Sequence, residues 1–210
     1  MENLALVKFL RASGALKTQS LVRAFEKVDR ADFILPQLRA YAYRDWPLPL
    51  GFGQTISQPS TVAFMLELLK PLPGQKILDI GCGSGWTVAL LAAVVGRRGR
   101  VIGLERIMAL LKRAKRSLGR YPPYLRVSSL VHGDASAGWA AGAPYDKIIA
   151  AAAAPAVPEP WVNQLKVGGR IVAPVGQGIV VLDKLSDKKW TTVEHPGFLF
   201  VPLVFGKDLV

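Results

Sequence analysis

A short, mostly apolar run at residues 77–80 leads directly into the loop Gly81-Cys82-Gly83-Ser84-Gly85. The segment Trp86–Val95 follows, with neither a proline nor a charged residue in it. The first run is typical of a buried strand and the longer segment of a buried helix. A strand that turns through glycines into a helix is the opening unit of a nucleotide-binding α/β sheet. This stretch therefore predicts a parallel sheet with a ligand at its carboxyl edge.

The same alternation continues through most of the chain. Helical periodicity extends over residues 3–12, 18–28, 59–70, 106–118 and 160–165, and Gly168-Gly169 should end the last of these helices. Strands are predicted at residues 76–80, 100–104, 126–132, 146–152, 170–175, 179–184 and 198–203. This pattern predicts an α/β, Rossmann-like fold with a mostly parallel seven-stranded sheet, helices on both faces and an antiparallel edge at the end of the chain.

One domain is expected for a chain of 210 residues. We expect residues 1–70 to form an N-terminal helical cap with a substrate segment, and residues 71–210 to form a cofactor-binding α/β core. Prolines and glycines predict an irregular path over residues 36–59. Tyr121-Pro122-Pro123-Tyr124 is superficially similar to an amino-methylation motif, but it follows a predicted helix and is interpreted as a loop.

Charge and cysteine content bear on partners and location. The net charge is +12, and residues 97–126 carry ten lysines or arginines against one acid, Glu105. This basic patch is interpreted as a solvated helix face, with attraction of RNA or acidic polypeptides as the alternative. The single cysteine, Cys82, excludes an intramolecular disulfide and a multi-cysteine metal site, and no apolar run reaches the length of a membrane span. We expect a soluble, cytoplasmic protein with no bound metal.

The glycine loop and the acids around it predict a nucleotide-like cofactor. Glycines let the backbone turn sharply, and the N-terminus of the following helix offers free N–H groups to an anionic ligand group. Glu105 ends the next predicted strand, where its carboxylate can accept from both ribose hydroxyls, and Asp134 is placed to accept from an adenine amine. Because Gly85 follows Gly83 after one residue, the dinucleotide pattern GxGxxG is absent. Together with Asp79, this spacing favours S-adenosylmethionine over NAD.

A polar segment precedes the loop. Residues 53–59 read Gly-Gln-Thr-Ile-Ser-Gln-Pro and lie between two apolar stretches, with no charged residue among them. Such a segment suits a site that holds a substrate by hydrogen bonds and leaves the reacting charge to the ligands.

The chain resembles the protein-L-isoaspartate O-methyltransferase family over nearly its full length. The more specific part of the likeness is the leader Phe25-Glu26-Lys27-Val28-Asp29-Arg30-Ala31-Asp32-Phe33, with Pro47-Leu48-Pro49-Leu50-Gly51 and residues 53–59. The cofactor loop at residues 77–86 is shared by many methyltransferases. Further motifs follow in the family's order: Ala143-Pro144-Tyr145-Asp146, Ala152-Ala153-Ala154-Pro155, Leu165-Lys166-Val167-Gly168-Gly169-Arg170, Pro174-Val175-Gly176 and Phe200-Val201-Pro202-Leu203.

The resemblance implies a class I methyltransferase that transfers a methyl group from S-adenosyl-L-methionine to the carboxylate of an isoaspartyl residue, leaving S-adenosyl-L-homocysteine. The ester re-closes to a succinimide that partly reopens to normal aspartate, so the reaction initiates protein repair. The partners implied are isoaspartyl-containing proteins and peptides. We expect the enzyme to be a monomer that does not associate with membranes.

The resemblance also assigns the site residues. Ser57 is implied as the active-site serine. The implied cofactor contacts are Gln54, Thr55, Ile56, Ser57, Asp79, Gly81, Cys82, Gly83, Ser84, Gly85, Glu105, Asp134 and Ala135. The implied substrate contacts are Thr55, Ser57, Ala154, Pro155 and Val204.

Three positions depart from the family's usual pattern. Ser60, Thr61 and Val62 occupy the stretch where many members carry a histidine, Ala135 stands in place of a glycine, and Val204 in place of a threonine. These differences concern the details of cofactor binding, and they leave the expected reaction class unchanged.

The implied nucleophile is a carboxylate, which is ionised near neutral pH and needs no general base. Ser57 is therefore expected to position the substrate, and His132 and His195 are interpreted as structural. Two alternatives stay open: a methyltransferase that acts on RNA through the basic patch, and a non-catalytic adaptor that retains the fold.

Overall fold

The computed structural model describes residues 2–206, so the expected single domain of residues 1–210 extends at both ends beyond this range. Within residues 2–206, no helix is both long and apolar enough to cross a membrane. The helices are α1 (Glu2–Ala12), α2 (Gln19–Lys27), α3 (Pro59–Leu69), α4 (Trp86–Val95), α5 (Met108–Leu118), α6 (Pro122–Leu125) and α7 (Glu159–Gln164). The strands are β1 (Leu48–Gly51), β2 (Gln54–Ile56), β3 (Lys76–Ile80), β4 (Arg100–Glu105), β5 (Ser128–His132), β6 (Tyr145–Ala150), β7 (Leu165–Val175), β8 (Gly178–Ser186) and β9 (Lys189–Pro196).

Seven of these strands form one sheet in the order β5-β4-β3-β6-β7-β8-β9. Strands β5, β4, β3, β6 and β7 run parallel to one another, whereas β8 is antiparallel to both β7 and β9. The chain runs outward from β3 to β5 and then crosses over to β6, so the strand order reverses beside β3. Ligands of such sheets bind at this switch point. The predicted fold class and the antiparallel edge are confirmed.

Helices cover both faces of the sheet. Because successive strand residues point to opposite faces, neighbouring residues of one strand belong to two different cores. Ile77 and Val101 belong to the core that also contains the buried residues of α1 to α4. Their neighbours Leu78 and Ile102 belong to a second core, which is closed by Trp161 of α7. The near-continuous apolar character of these strands follows from burial on both faces.

The prediction for the last strand was wrong. Residues 198–203 were expected to form it, but the sheet ends with β9 at Lys189–Pro196. Strand β9 lies at the sheet edge and is mostly exposed, so its sequence is polar and lacks the apolar pattern of a buried strand. The apolar residues near 200 instead run past the end of β6, where Pro202 makes a single parallel bridge with Ala153.

Three further boundaries differ from expectation. The stretch 36–59, expected to be irregular, contains the antiparallel hairpin β1–β2. The expected loop Tyr121-Pro122-Pro123-Tyr124 contains the single helical turn α6, since proline is tolerated in a first turn. Helix α7 ends at Gln164, and Gly168-Gly169 lies within β7, which starts at Leu165.

The N-terminal helices pack directly on the sheet layer. Phe25 of α2 meets the ring of Trp86 in α4 edge-on, with a centroid separation of 5.6 Å. Arg170 of β7 donates from Nη1 to the carbonyl of Leu68 in α3 at 2.7 Å. These contacts fix α2 against α4 and the C-terminal end of α3 against the sheet.

Candidate active site

The glycine loop lies between β3 and α4 at the switch point of the sheet. Gly81, Gly83 and Gly85 have φ values of +72°, +53° and +83°, a left-handed region that side chains with a Cβ rarely adopt. The amides of Gly81 and Cys82 both donate to the carbonyl of Leu104 in β4, at 2.8 and 3.1 Å. The loop is therefore a fixed turn whose backbone faces the space beyond the strand ends.

Glu105, the last residue of β4, is bonded to this loop. Its Oε2 accepts from the amide of Gly83 and its Oε1 from the amide of Ile107, both at 2.9 Å. Burial raises the pKa of Glu105, and the backbone N–H groups oppose that shift. The backbone N–H of Arg106 also bonds to this carboxylate. The two oxygens offer about four acceptor positions in all, so Glu105 can hold the loop and still accept from a ligand.

Asp79 lies beneath the loop on β3 and is 1% exposed. Its Oδ2 has no hydrogen-bond partner among the described residues. Burial, with a smaller contribution from the charge of Glu105, raises the pKa of Asp79 to about 8. In this structure the carboxyl is thus protonated at neutral pH, because an uncompensated buried charge is costly.

A cleft extends from the loop and encloses about 600 Å³ of atom-free space, its open mouth included. We call it the glycine-loop cleft. Gly81, Gly83 and Glu105 form one wall, and Ile107 and Leu110 add apolar surface. The remaining lining residues are Gln54, Thr55, Arg106, Ala135, Ala151, Ala152 and residues 201–204.

The hairpin β1–β2 covers one side of this cleft. Arg113 of α5 donates from Nη2 to the carbonyl of Leu50 at 2.8 Å, which ties the hairpin to the sheet layer. Phe52 at the hairpin tip is exposed and has a φ of +57°, a conformation uncommon for a residue with a side chain. Gln54 and Thr55 follow this turn and enter the wall of the cleft.

A second cleft adjoins the first and contains Ser57; we call it the serine cleft. It encloses about 710 Å³ of atom-free space, again with its mouth included. Thr55, Ala151 and Val201 line both clefts, so a ligand in one lies directly beside a ligand in the other. The other lining residues of the serine cleft are Pro47, Ser57, Gln58, Thr61, Leu199 and Phe200.

A buried arginine sets the position of Ser57. Arg30 is fully buried, and its Nη2 donates to the carbonyls of Trp46 and Ser57 at 3.0 and 3.2 Å. Its Nη1 donates to the carbonyls of Ala42 and Arg44 at 2.7 and 3.3 Å. Burial lowers the pKa of Arg30 to about 10, so the guanidinium is still charged at neutral pH. The Arg30 side chain thus holds the backbone that precedes the hairpin β1–β2 close to the backbone that follows it.

The roof of both clefts is the segment after β9. The amide of Ala153 donates to the carbonyl of Val201 at 2.8 Å, and the amide of Leu203 donates to the carbonyl of Ala153 at 2.7 Å. Residues 199–204 therefore lie across the carboxyl end of β6, where they contribute to both clefts. Val204, expected at the substrate, lines the glycine-loop cleft instead.

Several residues assigned by resemblance do not line either cleft. Ile56, Cys82, Ser84 and Gly85 are buried behind the hairpin and the loop, where they support the lining backbone. Ala154 is buried, and its amide donates to the carbonyl of Pro174 at 3.2 Å, while Pro155 is exposed beside it. Closer to the end of β6, Ala151 and Ala152 line the glycine-loop cleft.

Asp134 caps a short 3₁₀ helix. Its Oδ1 accepts from the amide and the hydroxyl of Ser136, at 2.9 and 2.8 Å. The following residue, Ala135, lines the glycine-loop cleft where the adenine end of a cofactor was expected. Asp134 therefore lies near the expected adenine end of the cofactor, and its Oδ1 is already hydrogen-bonded to Ser136.

The two histidines and the cysteine have structural surroundings. His132 Nε2 lies 2.9 Å from the carbonyl of Arg106, which can only accept, so Nε2 carries a proton. His195 meets the ring of Phe64 edge-on at 5.4 Å. Burial raises the pKa of the Cys82 thiol well above its usual range. None of the three side chains lines either cleft.

Sequence reasoning missed part of both walls. Ala151 and Ala152 directly follow β6, and the rule that ligands bind at the carboxyl ends of parallel strands could have found them. Ile107 caps α5 and Leu110 lies in its first turn, and neither residue was assigned to the site from the sequence. Residues 199–203 were missed because they were assigned to a strand.

The residues of the glycine-loop cleft fit an adenosyl cofactor. The loop backbone borders the cleft in a turn that a Cβ would strain, and Glu105 supplies a carboxylate at the end of β4. Ile107, Leu110 and Ala135 offer apolar surface for a base.

Comparisons with known proteins agree with this geometry. The family model for protein-L-isoaspartate(D-aspartate) O-methyltransferase (PCMT) matches residues 1–208. The chain is 42% identical to the protein-L-isoaspartate O-methyltransferase of Staphylothermus marinus over 97% of this chain and 94% of that protein. It is 43% identical to that of Aeropyrum pernix, over 96% of this chain and 78% of that protein, and 42% identical to that of Methanopyrus kandleri, over 95% and 89%.

Solved structures show the same fold. A crystal structure of a putative protein-L-isoaspartate O-methyltransferase from Plasmodium falciparum, in complex with S-adenosyl-L-homocysteine, has a TM-score of 0.86 at 23% identity and covers 95% of this chain and 97% of that chain. A second structure, of a protein-L-isoaspartate O-methyltransferase, has a TM-score of 0.85 at 28% identity and covers 99% of this chain and 67% of that one. This chain therefore belongs to the protein-L-isoaspartate(D-aspartate) O-methyltransferase family.

Proposed function

We propose that this enzyme methylates the carboxylate of L-isoaspartyl residues in damaged proteins and peptides, using S-adenosyl-L-methionine, and so initiates their repair. One observation carries the proposal beside family membership: the glycine-loop cleft and the serine cleft share Thr55, Ala151 and Val201. A cofactor bound at the glycine loop would then lie next to a carboxylate bound at Ser57. Thr55, Ala151 and Val201 would surround the place where the two ligands meet.

The reaction needs alignment more than acid–base chemistry. When bound, S-adenosylmethionine supplies a methyl group on a sulfonium sulfur, which keeps the electron pair of the broken carbon–sulfur bond as the carboxylate oxygen forms the ester. An isoaspartyl carboxylate, with an ordinary pKa near 4, is ionised at neutral pH and needs no base. The residues of the chain have to hold it in line and exclude water.

We propose that Ser57 donates a hydrogen bond to the substrate carboxylate and that Thr55 contacts both ligands. In support, Ser57 is half-buried in the serine cleft and its backbone is held by Arg30. Among the residues that line the serine cleft, none is a Lys, Arg, Asp or Glu. Methyl transfer neutralises a carboxylate and a sulfonium together, so a wall without charges does not compete for either one.

We propose that the cofactor binds with its methionine end at Gly81 and Gly83, its ribose at Glu105 and its adenine near Asp134 and Ala135. The acceptor position that remains on the Glu105 carboxylate supports the ribose contact. Ala135, Ile107 and Leu110 supply apolar surface for the base. Asp79, buried under the loop, is proposed to support the ammonium end of the cofactor by giving up its proton when that cation binds nearby, because a nearby positive charge lowers the pKa of a carboxyl.

The location, the oligomeric state and the domain organisation of the enzyme are proposals as well. We propose a cytoplasmic monomer in which residues 1–70 form a cap on a single domain of residues 1–210. The contact between Phe25 and Trp86 supports the cap assignment. The buried free thiol of Cys82 is compatible with a reducing compartment. Nucleic acid is not proposed as a substrate.

One assay tests the function. Labelled S-adenosylmethionine is offered to an isoaspartyl peptide, to its normal aspartyl twin and to RNA. We expect label on the isoaspartyl peptide alone. Label on RNA would support the alternative that uses the basic patch of residues 97–126. A protein that binds the cofactor and labels nothing would be an adaptor.

A further inference from the structure

The serine cleft opens into a third cavity along the N-terminal cap. The two cavities share Gln58, Thr61 and Leu199 in their walls, so the hollow continues from the serine cleft towards α1. This third cavity, which we call the outer groove, encloses about 1290 Å³ of atom-free space with its mouth included. Beyond the shared residues, its lining comprises Phe9, Ser13, Gly14, Ala15, Asp45, Ser60, Phe64, Gly197 and Phe198.

The walls of the outer groove are of mixed polarity and include several large apolar side chains. Phe64 and Phe198 stack with a centroid separation of 5.3 Å and an interplanar angle of 12°. Phe9 is 49% exposed and Leu199 is 83% exposed, so both offer unused apolar surface to a ligand. These four side chains are the large apolar groups that the groove offers to a ligand.

Asp45, the charged residue that lines the groove, is engaged within the wall. Asp45 accepts from the amide of Ser60 at 2.8 Å through Oδ1, and from Nε2 of Gln58 at 3.1 Å through Oδ2. The carboxylate therefore supports the start of α3 and the end of the substrate segment. The groove consequently selects by apolar contact more than by charge.

The position of the groove identifies its occupant. The proposed substrate is a polypeptide, so the residues beside the methylated one must leave the serine cleft along some path. An extended chain advances about 3.3–3.6 Å per residue, and two or three residues therefore bring it well into an adjoining groove. The shared residues Gln58, Thr61 and Leu199 make the outer groove continuous with the serine cleft.

We propose that the outer groove binds the polypeptide flanking the isoaspartyl residue and favours an aromatic or large aliphatic side chain two to three residues away from it. The inference rests on the proposed function and adds a sequence preference to it. Phe9, the stacked pair Phe64–Phe198 and Leu199 are the residues that would provide this preference.

Steady-state kinetics with matched peptides test the preference. The reference isoaspartyl peptide has glycine at both flanks, and two others carry phenylalanine in the second and third positions on the N-terminal or the C-terminal side. On one of the two sides, kcat/KM should be about tenfold higher than for the reference, as expected for burial of part of an aromatic ring. Equal kcat/KM for all three peptides would overturn the proposal.

A variant pair in α1 ties the effect to the groove. Phe9→Ala should reduce the advantage of the phenylalanine peptide to about threefold, measured against each variant's own value for the glycine peptide. The control is Leu4→Ala, because Leu4 lies in the same helix and is 50% exposed but does not line the groove. It should keep the tenfold advantage.

The remaining outcomes are also decisive. If Phe9→Ala keeps the full advantage, the groove does not hold the flank. If Phe9→Ala instead alters sedimentation without changing the ratio, the groove binds a second copy of the chain and the proposal fails. If the wild-type enzyme methylates no isoaspartyl peptide, the proposed function itself fails and this inference falls with it.

Discussion

Replacing Asp79 by asparagine should reveal a buried acid that destabilises the folded enzyme at neutral and alkaline pH. Asp79 is 1% exposed, its Oδ2 has no hydrogen-bond partner among the described residues, and burial raises its pKa to about 8. In the unfolded chain its pKa is about 3.9. Asparagine has nearly the same shape and does not titrate, so Asp79→Asn removes the pH dependence and leaves the packing.

The sign and the size follow from proton linkage. Between pH 5 and pH 8 the unfolded chain has lost this proton and the folded chain retains it, so stability falls as the pH rises, by about 1.4 kcal/mol per pH unit. Over this window the wild type should lose about 4 kcal/mol through this group. The stability contribution is fully present below the unfolded pKa and is lost as the pH approaches the folded pKa of Asp79, about 8. Asp79→Asn should therefore gain stability relative to the wild type as the pH rises, by about 4 kcal/mol between pH 5 and pH 8.

Urea unfolding of the cofactor-free protein at several pH values between 5 and 8, followed by circular dichroism, measures this difference. Asp183→Asn is the matched control. The hydrogen bonds from Arg170 lower the pKa of Asp183, so its titration lies below the window. At every pH from 5 to 8, Asp183→Asn should be less stable than the wild type by a nearly constant amount. A constant difference for Asp79→Asn as well would mean that Asp79 is ionised in the folded state, and would refute the reasoning.

Three further substitutions test the site. Ser57→Ala should lower kcat/KM for an isoaspartyl peptide by about ten- to a hundredfold, the worth of a hydrogen bond to a charged group, with unchanged cofactor affinity by calorimetry; a full-rate enzyme would exclude the positioning role. Glu105→Ala should weaken S-adenosylmethionine binding at least about tenfold, and an unchanged Kd would exclude the ribose contact. Arg30→Met removes the donor to four carbonyls and should destabilise the fold by about 3 kcal/mol while raising KM for the peptide and sparing cofactor affinity. An Arg30→Met enzyme with wild-type stability and KM would contradict the proposed support of Ser57.

The central part of the fold was predictable because its signals are local. The strand before the loop, the glycines with positive φ, and Glu105 at the end of the next strand lie within one stretch of about thirty residues, and each is specified by its own sequence. The alternation of buried strands and helices extends this frame to the rest of the sheet. The family motifs then indicated that Thr55 and Ser57 belong to the same site.

The parts that were wrong or missed depend on contacts between distant residues. The apolar residues near 200 have the composition of a strand, but their partner is Ala153 beyond the end of β6, and composition does not specify a partner. Strand β9 is an exposed edge, so burial leaves no pattern in its sequence. The role of Arg30 depends on carbonyl groups 12 to 27 residues away, and carbonyls are the same in every residue.

The supports of the hairpin β1–β2 have a consequence for biosynthesis. The carbonyl of Leu50 is held by Arg113, and the wall at Ala153 is completed by Val201 and Leu203. A ribosome emits the chain from its N-terminus, so the hairpin leaves the exit tunnel long before either support. The substrate side of the active site is therefore assembled last, and a nascent chain that already contains the glycine loop stays inactive until the residues near 204 have emerged.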